Sequence, residues 1–205
     1  VSRNYDYKEK MKFFDNINNL RKQLFCPIMI GGGIKNFDDA RICFENGADK
    51  IFISTEFTNL ELINKISEVY GNQSISVVLD YKRKNNTFEI FTNCGKTKVS
   101  SDLEKVFLKL QKENIGEIIL HSIDRDGTGN GYDLKIFDEL ELKSKKPLIL
   151  MGGAGQPNHI VNALDNCKVS GVITANLFNF IGNTLETTRE LCLKKKFKYS
   201  KSNLI

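Results

Sequence analysis

The chain has 205 residues, of which 40% are hydrophobic and 27% are charged, and its formal net charge at pH 7 is +5. This composition excludes a low-complexity chain and predicts one globular domain with a sizeable core. No apolar run approaches the roughly 18 residues of a membrane span, and the first residues lack the regions of a signal peptide, so we expect a cytoplasmic protein.

The five cysteines are widely scattered, and no CxxC pair or cluster of histidine with cysteine occurs. Neither a disulfide framework nor a zinc site is therefore predicted, and a reducing compartment fits best. No metal, cofactor, nucleic acid or membrane partner is expected.

Helix and strand patterns alternate from residue 8 onward. Apolar residues at helical spacing predict a helix over 8–24, and FEIF between turn residues predicts a hairpin-like excursion over 81–100. Six strands are predicted: Pro27–Ile30, Lys50–Ile53, Ile75–Leu79, Glu117–Ile123, Pro147–Met151 and Gly171–Thr174. Further helices are predicted at 37–47, which Asn36 caps, and at Leu60–Val69, Leu103–Lys112, Leu134–Leu142, His159–Leu164 and Leu185–Leu193.

Short connections between these units predict a right-handed parallel α/β fold. PIMIGGGIKN at 27–36 and PLILMGGAGQ at 147–156 repeat a strand with paired glycines at an offset of 120 residues. Two such halves predict a (βα)8 TIM barrel, which typically has about 250 residues. Because six units are visible, we expect a single partial barrel domain over 1–205, equivalent to strands three to eight, with the first two units missing.

Glycines follow a strand at equivalent places in both halves, as Gly32-Gly33 and Gly152-Gly153. The next strand in each half ends in small or polar residues, Ser54-Thr55 and Ala175-Asn176. Glycine lets several backbone N–H groups converge on a phosphate. One such cluster could simply form a tight turn, whereas two clusters in a repeat favour an elongated substrate with an anion at each end.

Asp80 is an isolated acid directly after the apolar run SVVL. It is a candidate general base if it lies at the catalytic face with its carboxyl group partly buried. An aspartate that caps a helix or bonds a loop is the alternative.

The segment GEIILHSIDRDGTGNGYD, at 116–133, predicts a buried strand that runs into a polar, glycine-rich loop. Ligands of parallel α/β proteins bind at the carboxyl ends of the strands. Asp126, before Gly127, is therefore the predicted ligand contact, and Asp124 and Arg125 are expected to form ion pairs within the loop. His121 lies inside the strand, where a hydrogen-bonded core histidine is the alternative to a catalytic one.

Five segments together resemble the cyclase subunit of imidazole glycerol phosphate synthase, the HisF family: GGGIKNFDDARICFENGADKIFIST, VVLDYKR, GEIILHSIDRDGTGNGYD, PLILMGGAGQ and GVITANLFNF. The resemblance implies a (βα)8 barrel lyase of histidine biosynthesis in a heterodimer with a glutaminase subunit. Ammonia from the glutaminase would pass along the barrel axis and join a ribulosyl bisphosphate substrate. Ring closure would then form imidazole glycerol phosphate and release an aminoimidazole ribonucleotide.

The resemblance also implies roles for particular residues. Asp80 corresponds to one of two catalytic aspartates, and Gly33, Ser54 and Thr55 match one phosphate site. The second phosphate site is matched by Asp126, Gly127, Gly153, Ala175 and Asn176. Lys50 and Glu117 match two of four charged residues that gate ammonia entry, and Asp49 matches a position facing the glutaminase.

Several positions depart from the family pattern. The second catalytic aspartate, a substrate-orienting lysine and the other gate residues belong to the two units that are not visible here. Ser54 replaces the usual Asn, and Asn176 the usual Ser. In the expected substrate pocket, Met151 replaces a Ser and His121 replaces a Thr.

Two alternatives therefore stay open. The first is a paralogous group that works with a glutaminase-like partner and an amidotransferase to convert an acetamido group on surface sugars into an acetamidino group. The second is a non-catalytic remnant that binds the glutaminase without turning over a substrate.

Overall fold

The computed structural model describes residues 7–85, 87–175, 177–180, 182–195 and 197. The strands are β1 (Met29–Gly31), β2 (Lys50–Ile53), β3 (Ile75–Lys84), β4 (Thr87–Thr92), β5 (Thr97–Ser100), β6 (Glu117–Ser122), β7 (Leu148–Met151) and β8 (Gly171–Ile173). The helices are α1 (Tyr7–Arg21), α2 (Phe37–Glu45), α3 (Leu60–Tyr70), α4 (Leu103–Leu110), α5 (Ile136–Glu139), α6 (Pro157–Asp165), α7 (Leu177–Phe180) and α8 (Thr184–Lys194). Across these ranges, no helix has the length and apolar character needed to cross a membrane.

Six strands form a parallel sheet in the order β1-β2-β3-β6-β7-β8. Helices connect successive parallel strands, as the alternating pattern predicted. The excursion at 81–100 is also confirmed, because β4 pairs antiparallel with β3, and β5 pairs antiparallel with β4. The architecture is that of a partial TIM barrel with a hairpin added beyond β3.

The internal repeat is visible in the backbone. Strand β1 corresponds to β7, helix α2 to α6 and strand β2 to β8, each within about one residue of the 120-residue offset. The paired glycines have positive φ in both halves: Gly32 at 93°, Gly33 at 73°, Gly152 at 95° and Gly153 at 103°. The same left-handed turn therefore links strand to helix in the two halves.

Three predicted elements differ from those observed by three or more residues at one end. Helix α1 ends at Arg21, three residues before the predicted end at residue 24. Strand β3 continues past Asp80 to Lys84, because this part of its backbone pairs with the antiparallel strand β4. The helix predicted over Leu134–Leu142 is wrong except for the four residues of α5. It ends where Leu140 adopts an extended backbone, with φ −126° and ψ 138°.

Side chains alternate between the two faces of the parallel sheet. One set, which includes Ile51, Val77, Leu79, Ile118 and Leu120, belongs to the main core cluster. The alternate set forms the inner face, where Phe52, Val78, Ile119 and Ile149 make an apolar middle layer. Polar residues flank this layer at both strand ends: Lys50, Ser76 and Glu117 at the amino ends, and Ser54, Asp80 and His121 at the carboxyl ends.

Candidate active site

The core of the candidate site is a hydrogen-bonded cluster around Asp80. Strands β3 and β6 are parallel neighbours with Asp80 opposite His121, so both side chains extend from the same face at the same level. His121 Nδ1 lies 2.7 Å from Asp80 Oδ1, and Ser54 Oγ donates to Asp80 Oδ2 at 2.5 Å. Since an ionised carboxylate can only accept, Nδ1 carries the hydrogen in the bond from His121.

His121 is largely buried, with 16% of its side chain exposed. Burial by itself lowers the pKa of His121, but the hydrogen bond to Asp80 and the negative charges of Asp80 and Asp126 outweigh burial, so the pKa is raised. Its Nε2 is 3.6 Å from Asp126 Oδ2, which is beyond hydrogen-bonding distance. Among the described residues, Nε2 is the one buried side-chain nitrogen or oxygen without a hydrogen-bond partner.

The second predicted anion cluster lines a cleft of about 130 Å³ at the carboxyl ends of β6, β7 and β8. Predicted residues that line it are Asp126, Gly127, Met151, Gly152, Gly153 and Ala175. Four further residues of the lining were missed from the sequence: Gly129, Ala154, Ile173 and Thr174. They carry no motif of their own, and only the neighbouring strand ends make them part of the site. Asn176 lies outside the described residues.

Close backbone packing shapes this cleft. A Cβ on Gly153 would lie 2.3 Å from the carbonyl oxygen of Gly131, whose own N–H donates to the Gly153 carbonyl at 2.7 Å. By contrast, a Cβ on Gly127 would meet nothing within 4 Å. Gly153 therefore holds two loops together, whereas Gly127 leaves open space where a ligand could approach its backbone.

The first predicted cluster lies at the same rim, after β1 and β2. Gly31 is opposite Phe52, so Gly32-Gly33 and Ser54-Thr55 leave the sheet side by side. Gly33 is exposed, and a Cβ there would have no neighbour within 4 Å. The hydroxyl of Ser54 is bonded to Asp80, which joins this cluster to the acid.

Lys50 and Glu117, which the resemblance matches to gate residues, form an ion pair at the opposite ends of the strands. Lys50 Nζ is 2.6 Å from Glu117 Oε2, although β3 lies between their strands. Ser76, on β3, donates its hydroxyl to Glu117 Oε1 at 2.5 Å. Ser76 was not singled out in the sequence, because a serine inside an apolar strand carries no distinctive signal. Glu117 is thus buried with both carboxylate oxygens satisfied.

Asp49, which is predicted to face the glutaminase, forms a bidentate ion pair with Arg21 at the end of α1. It also accepts a hydrogen bond from the backbone N–H of Ile28 at 2.8 Å. The bond from Arg21 and the bond from Ile28 both lower the pKa of Asp49. These contacts tie α1 to the start of β1 at the amino-end rim.

The ion-pair network predicted within the loop after β6 is wrong. Asp124 accepts a hydrogen bond from the backbone N–H of Arg83 at 2.7 Å, and Arg125 donates to the carbonyl of Asn130 at 3.1 Å. Arg83 itself bridges Asp133 and Glu139, with its Nη2 3.2 Å from Asp133 Oδ1. The loop is therefore held by the extension of β3, which sequence patterns did not reveal.

Two observations bear on the kind and the place of the site. In the part of the chain that the structure describes, no group of three His, Cys, Asp or Glu side chains is arranged to hold a metal ion. A larger, mainly apolar cavity of about 360 Å³ lies between α6 and α8, where it is lined by residues such as Leu164, Thr188 and Cys192. That cavity contains none of the predicted site residues.

These features are those of a partial TIM-barrel protein with a candidate enzyme site: a largely buried acid–histidine pair beside a glycine-lined cleft at the carboxyl ends of the strands. The family model described as histidine biosynthesis protein matches residues 7–183. A protein of Parasynechococcus marenigrum named "Putative imidazole glycerol phosphate synthase subunit hisF2" is 39% identical over 180 residues, covering 87% of this chain and 67% of that protein.

Two further relatives carry the name imidazole glycerol phosphate synthase subunit HisF. The protein of Dictyoglomus turgidum is 36% identical over 170 residues, which cover 82% of this chain and 67% of that protein. The protein of Dehalococcoides mccartyi is 32% identical over 174 residues, which cover 84% of this chain and 69% of that protein. The chain therefore belongs to the histidine biosynthesis family and, within it, to the HisF family of cyclase-type enzymes. The resemblance seen in the sequence is confirmed at this level.

Proposed function

We propose that the chain is the cyclase part of an imidazole glycerol phosphate synthase, which joins ammonia to a ribulosyl bisphosphate and closes the imidazole ring. One observation carries this proposal: Asp80 lies at the carboxyl ends of the strands between the two glycine clusters. It is bonded to Ser54 of the first cluster and to His121, whose Nε2 lies 3.6 Å from Asp126 of the second. An acid–base group between two anion sites fits a substrate with a phosphate at each end.

The two glycine clusters support the choice of a bisphosphate. Gly33 and Gly127 have positive φ and open space beside their α-carbons, so a phosphate oxygen could approach their backbones closely. Holding both ends of the substrate would fix its reacting centre over Asp80, which lowers the entropic part of the barrier.

The ion pair of Lys50 with Glu117 supports ammonia entry from the amino ends of the strands. This ion pair lies at the amino ends of the strands, whereas Asp80 lies at their carboxyl ends. The apolar side chains of Phe52, Val78 and Ile119 separate the ion pair from Asp80. Ammonia is neutral and small, so an apolar interior would carry it more readily than ammonium. The glutaminase subunit would supply it at the rim where Asp49 lies, in a heterodimer.

The test is turnover of the ribulosyl bisphosphate by the full-length protein with an ammonium salt as nitrogen source. We expect imidazole glycerol phosphate to form, and Asp80→Asn to reduce kcat by at least about a hundredfold, the lower end of typical acid–base contributions. Asp165→Asn is the matched control, because Asp165 is half-exposed at the end of α6. Undiminished turnover by Asp80→Asn would exclude Asp80 as the essential group.

A second candidate substrate is favoured by one observation, that Met151 lines the second cleft beside His121. A methionine there cannot donate the hydrogen bond of a hydroxyl group to a sugar phosphate. The paralogue that supplies ammonia for acetamidino modification of surface sugars is the corresponding alternative. Ammonia-dependent modification of an acetamido sugar in the presence of its amidotransferase, without turnover of the bisphosphate, would favour it.

A non-catalytic role predicts a third result. A chain that binds the glutaminase subunit with normal affinity but turns over neither substrate, with ammonium or with glutamine, would be a glutaminase-binding remnant. The same assay series therefore separates all three functions.

A further inference from the structure

We propose that His121, rather than Asp80 alone, exchanges the proton with the bound ligand, and that Asp80 orients His121 and stabilises its charge. The inference deepens the proposed function and rests on it, because it assumes that a ligand anion occupies the cleft after β6 and β7. It changes the assignment of the acid–base group from a single carboxylate to a coupled pair.

The hydrogen bonds of Asp80 point to this division of roles. Its Oδ1 accepts from His121 Nδ1 at 2.7 Å, and its Oδ2 accepts from Ser54 Oγ at 2.5 Å. Each oxygen keeps a further lone pair, but two protein donors already hold the carboxylate in one orientation. This is the arrangement of a carboxylate that orients a histidine.

The atom of the cluster that lacks a hydrogen bond is His121 Nε2. It is buried, no described residue is hydrogen-bonded to it, and Asp126 Oδ2 lies 3.6 Å away, within ion-pair range of a protonated ring. Leaving a buried polar atom without a hydrogen bond is unfavourable, so its presence in a folded protein requires a reason. A ligand oxygen near Asp126 would supply the missing partner.

The position of the imidazole ring supports the same conclusion. His121 Cδ2, which is bonded to Nε2, lies 3.3 Å from where a Cβ on Gly152 would be. Gly152 and Asp126 both line the cleft, so the Nε2 edge of the ring lies next to two residues of its lining. The Nδ1 edge is directed to Asp80, and the ring therefore connects the acid to the anion cleft.

The charges around His121 favour its protonated form. Asp80 on β3 and Asp126 in the loop after β6 are the acids that act on it, and Met151, its neighbour on β7, is uncharged. The pKa of His121 is raised although burial opposes this, because the bond to Asp80 and the two negative charges prevail. The imidazolium then offers Nε2–H to an anion and can act as a general acid.

The proton transfer balances without another reactant. The Nε2–H bond breaks, its electron pair stays on the ring nitrogen, and the proton forms an O–H bond on the ligand. The neutral imidazole keeps Nδ1–H, which still donates to Asp80, and a later transfer to Nε2 from the ligand or from water restores the cation. Asp80 keeps its hydrogen bond from Nδ1 throughout and acts as a positioning residue.

The first experiment follows the imidazole signals by NMR as a function of pH. The chain has two histidines, so His159→Gln leaves His121 as the single source of these signals. We expect the pKa of His121 to lie above 6.5 and to rise further on addition of sulfate, because an anion at Nε2 stabilises the cation. In Asp80→Asn the pKa should fall below the value in the unchanged protein, since burial remains while the negative charge is lost.

The second experiment measures sulfate affinity by calorimetry between pH 6 and pH 9, where the charge of sulfate is constant. Above the pKa of His121, the dissociation constant of the unchanged protein should rise by up to about tenfold per pH unit. His121→Gln should bind sulfate more weakly at low pH and lose this dependence on pH. A residue with a purely structural role would not produce that difference in slope.

The outcomes separate this inference from the proposed function. Sulfate binding that leaves the His121 signals unmoved, with the same affinity in His121→Gln, would overturn the inference and leave an anion cleft in place. If instead the unchanged protein neither binds sulfate nor turns over the bisphosphate, the proposed function fails as well. If His121→Gln does not fold, the NMR titration of the unchanged histidine still decides.

Discussion

Glu117 and His121 lie on the same face of β6, four residues apart. Each forms an ion pair with a residue of another strand. Glu117 pairs with Lys50 at the amino end of the strands, and His121 pairs with Asp80 at the carboxyl end. At the usual rise of a strand the two positions are about 13 Å apart. Ile119 lies between them and is fully buried. One strand thus holds two polar layers at a constant separation.

Removing Lys50 should destabilise the protein more than removing the charge of Glu117. Glu117 is 6% exposed, so Lys50→Met would leave its charge with only the hydroxyl of Ser76, and we expect a loss of about 2–3 kcal/mol in the free energy of unfolding. Glu117→Gln should cost about 1 kcal/mol, because Lys50 is 35% exposed and can be hydrated. Urea unfolding of both variants checks this.

The double variant Lys50→Met/Glu117→Gln provides the control for this pair. Since it removes both charges, it should recover part of the loss caused by Lys50→Met alone. Strictly additive losses would show that the two side chains contribute independently.

His121 should make the stability of the protein depend on pH. Its pKa is raised in the folded state, so the stabilisation from its bonds to Asp80 is fully present below the unfolded-state value of 6.5 and is lost as pH rises through the folded-state value. The difference in unfolding free energy between the unchanged protein and His121→Gln should therefore shrink as pH increases across this window. Urea titrations at several pH values measure it, and a difference that grows with pH would contradict the raised pKa.

Gly33 and Gly153 occupy equivalent places in the repeat but should tolerate alanine differently. Gly153→Ala should cost at least about 3 kcal/mol, because a Cβ would meet the Gly131 carbonyl oxygen at 2.3 Å and φ is 103°. Gly33→Ala should cost about 1–2 kcal/mol, since only the positive φ opposes it. Thermal or chemical unfolding measures both losses. Equal losses would indicate that the loop carrying Gly131 can move away from Gly153.

The five thiols should divide into two classes of reactivity. Cys26, Cys94 and Cys167 are exposed, and Cys43 and Cys192 are buried. Burial raises the pKa of Cys43 to about 11, which suppresses the reactive thiolate. An aromatic disulfide reagent should therefore label three thiols rapidly in the native protein and all five after unfolding. Labelling of Cys43 at the rate of Cys26 would mean that the contact between α2 and the sheet opens readily.

Local patterns predicted much of the fold. The cap of α2 is an example, since Asn36 accepts a hydrogen bond from the N–H of Asp39 at 2.9 Å, as a capping residue should. Strand β2 has the predicted bounds because turn residues bracket a short apolar run. The repeat predicted that both glycine pairs follow equivalent strands, and the strand bounds confirm it, since Gly32 follows β1 and Gly152 follows β7. These features depend on neighbours in the chain, so they can be read from it.

The contacts of the site could not be predicted in the same way. Asp80 and His121 are 41 residues apart, and the hairpin of β4 and β5 is inserted between their strands. The sequence predicted Ser54 as part of a phosphate site, but it gave no signal for the hydrogen bond from its hydroxyl to Asp80. A hydrogen bond needs a distance and a direction, and neither is fixed until the strand order and register are known.

By itself, the sequence determined the alternation of helix and strand, the duplicated glycine turns and the choice of candidate acid, because each depends on residue type and local spacing. Only the tertiary structure decided that Asp80 is coupled to His121 and Ser54, and that Glu117 is bonded to both Lys50 and Ser76. The reason is the parallel register of β2, β3 and β6, which places residues distant in the chain at one level of the sheet.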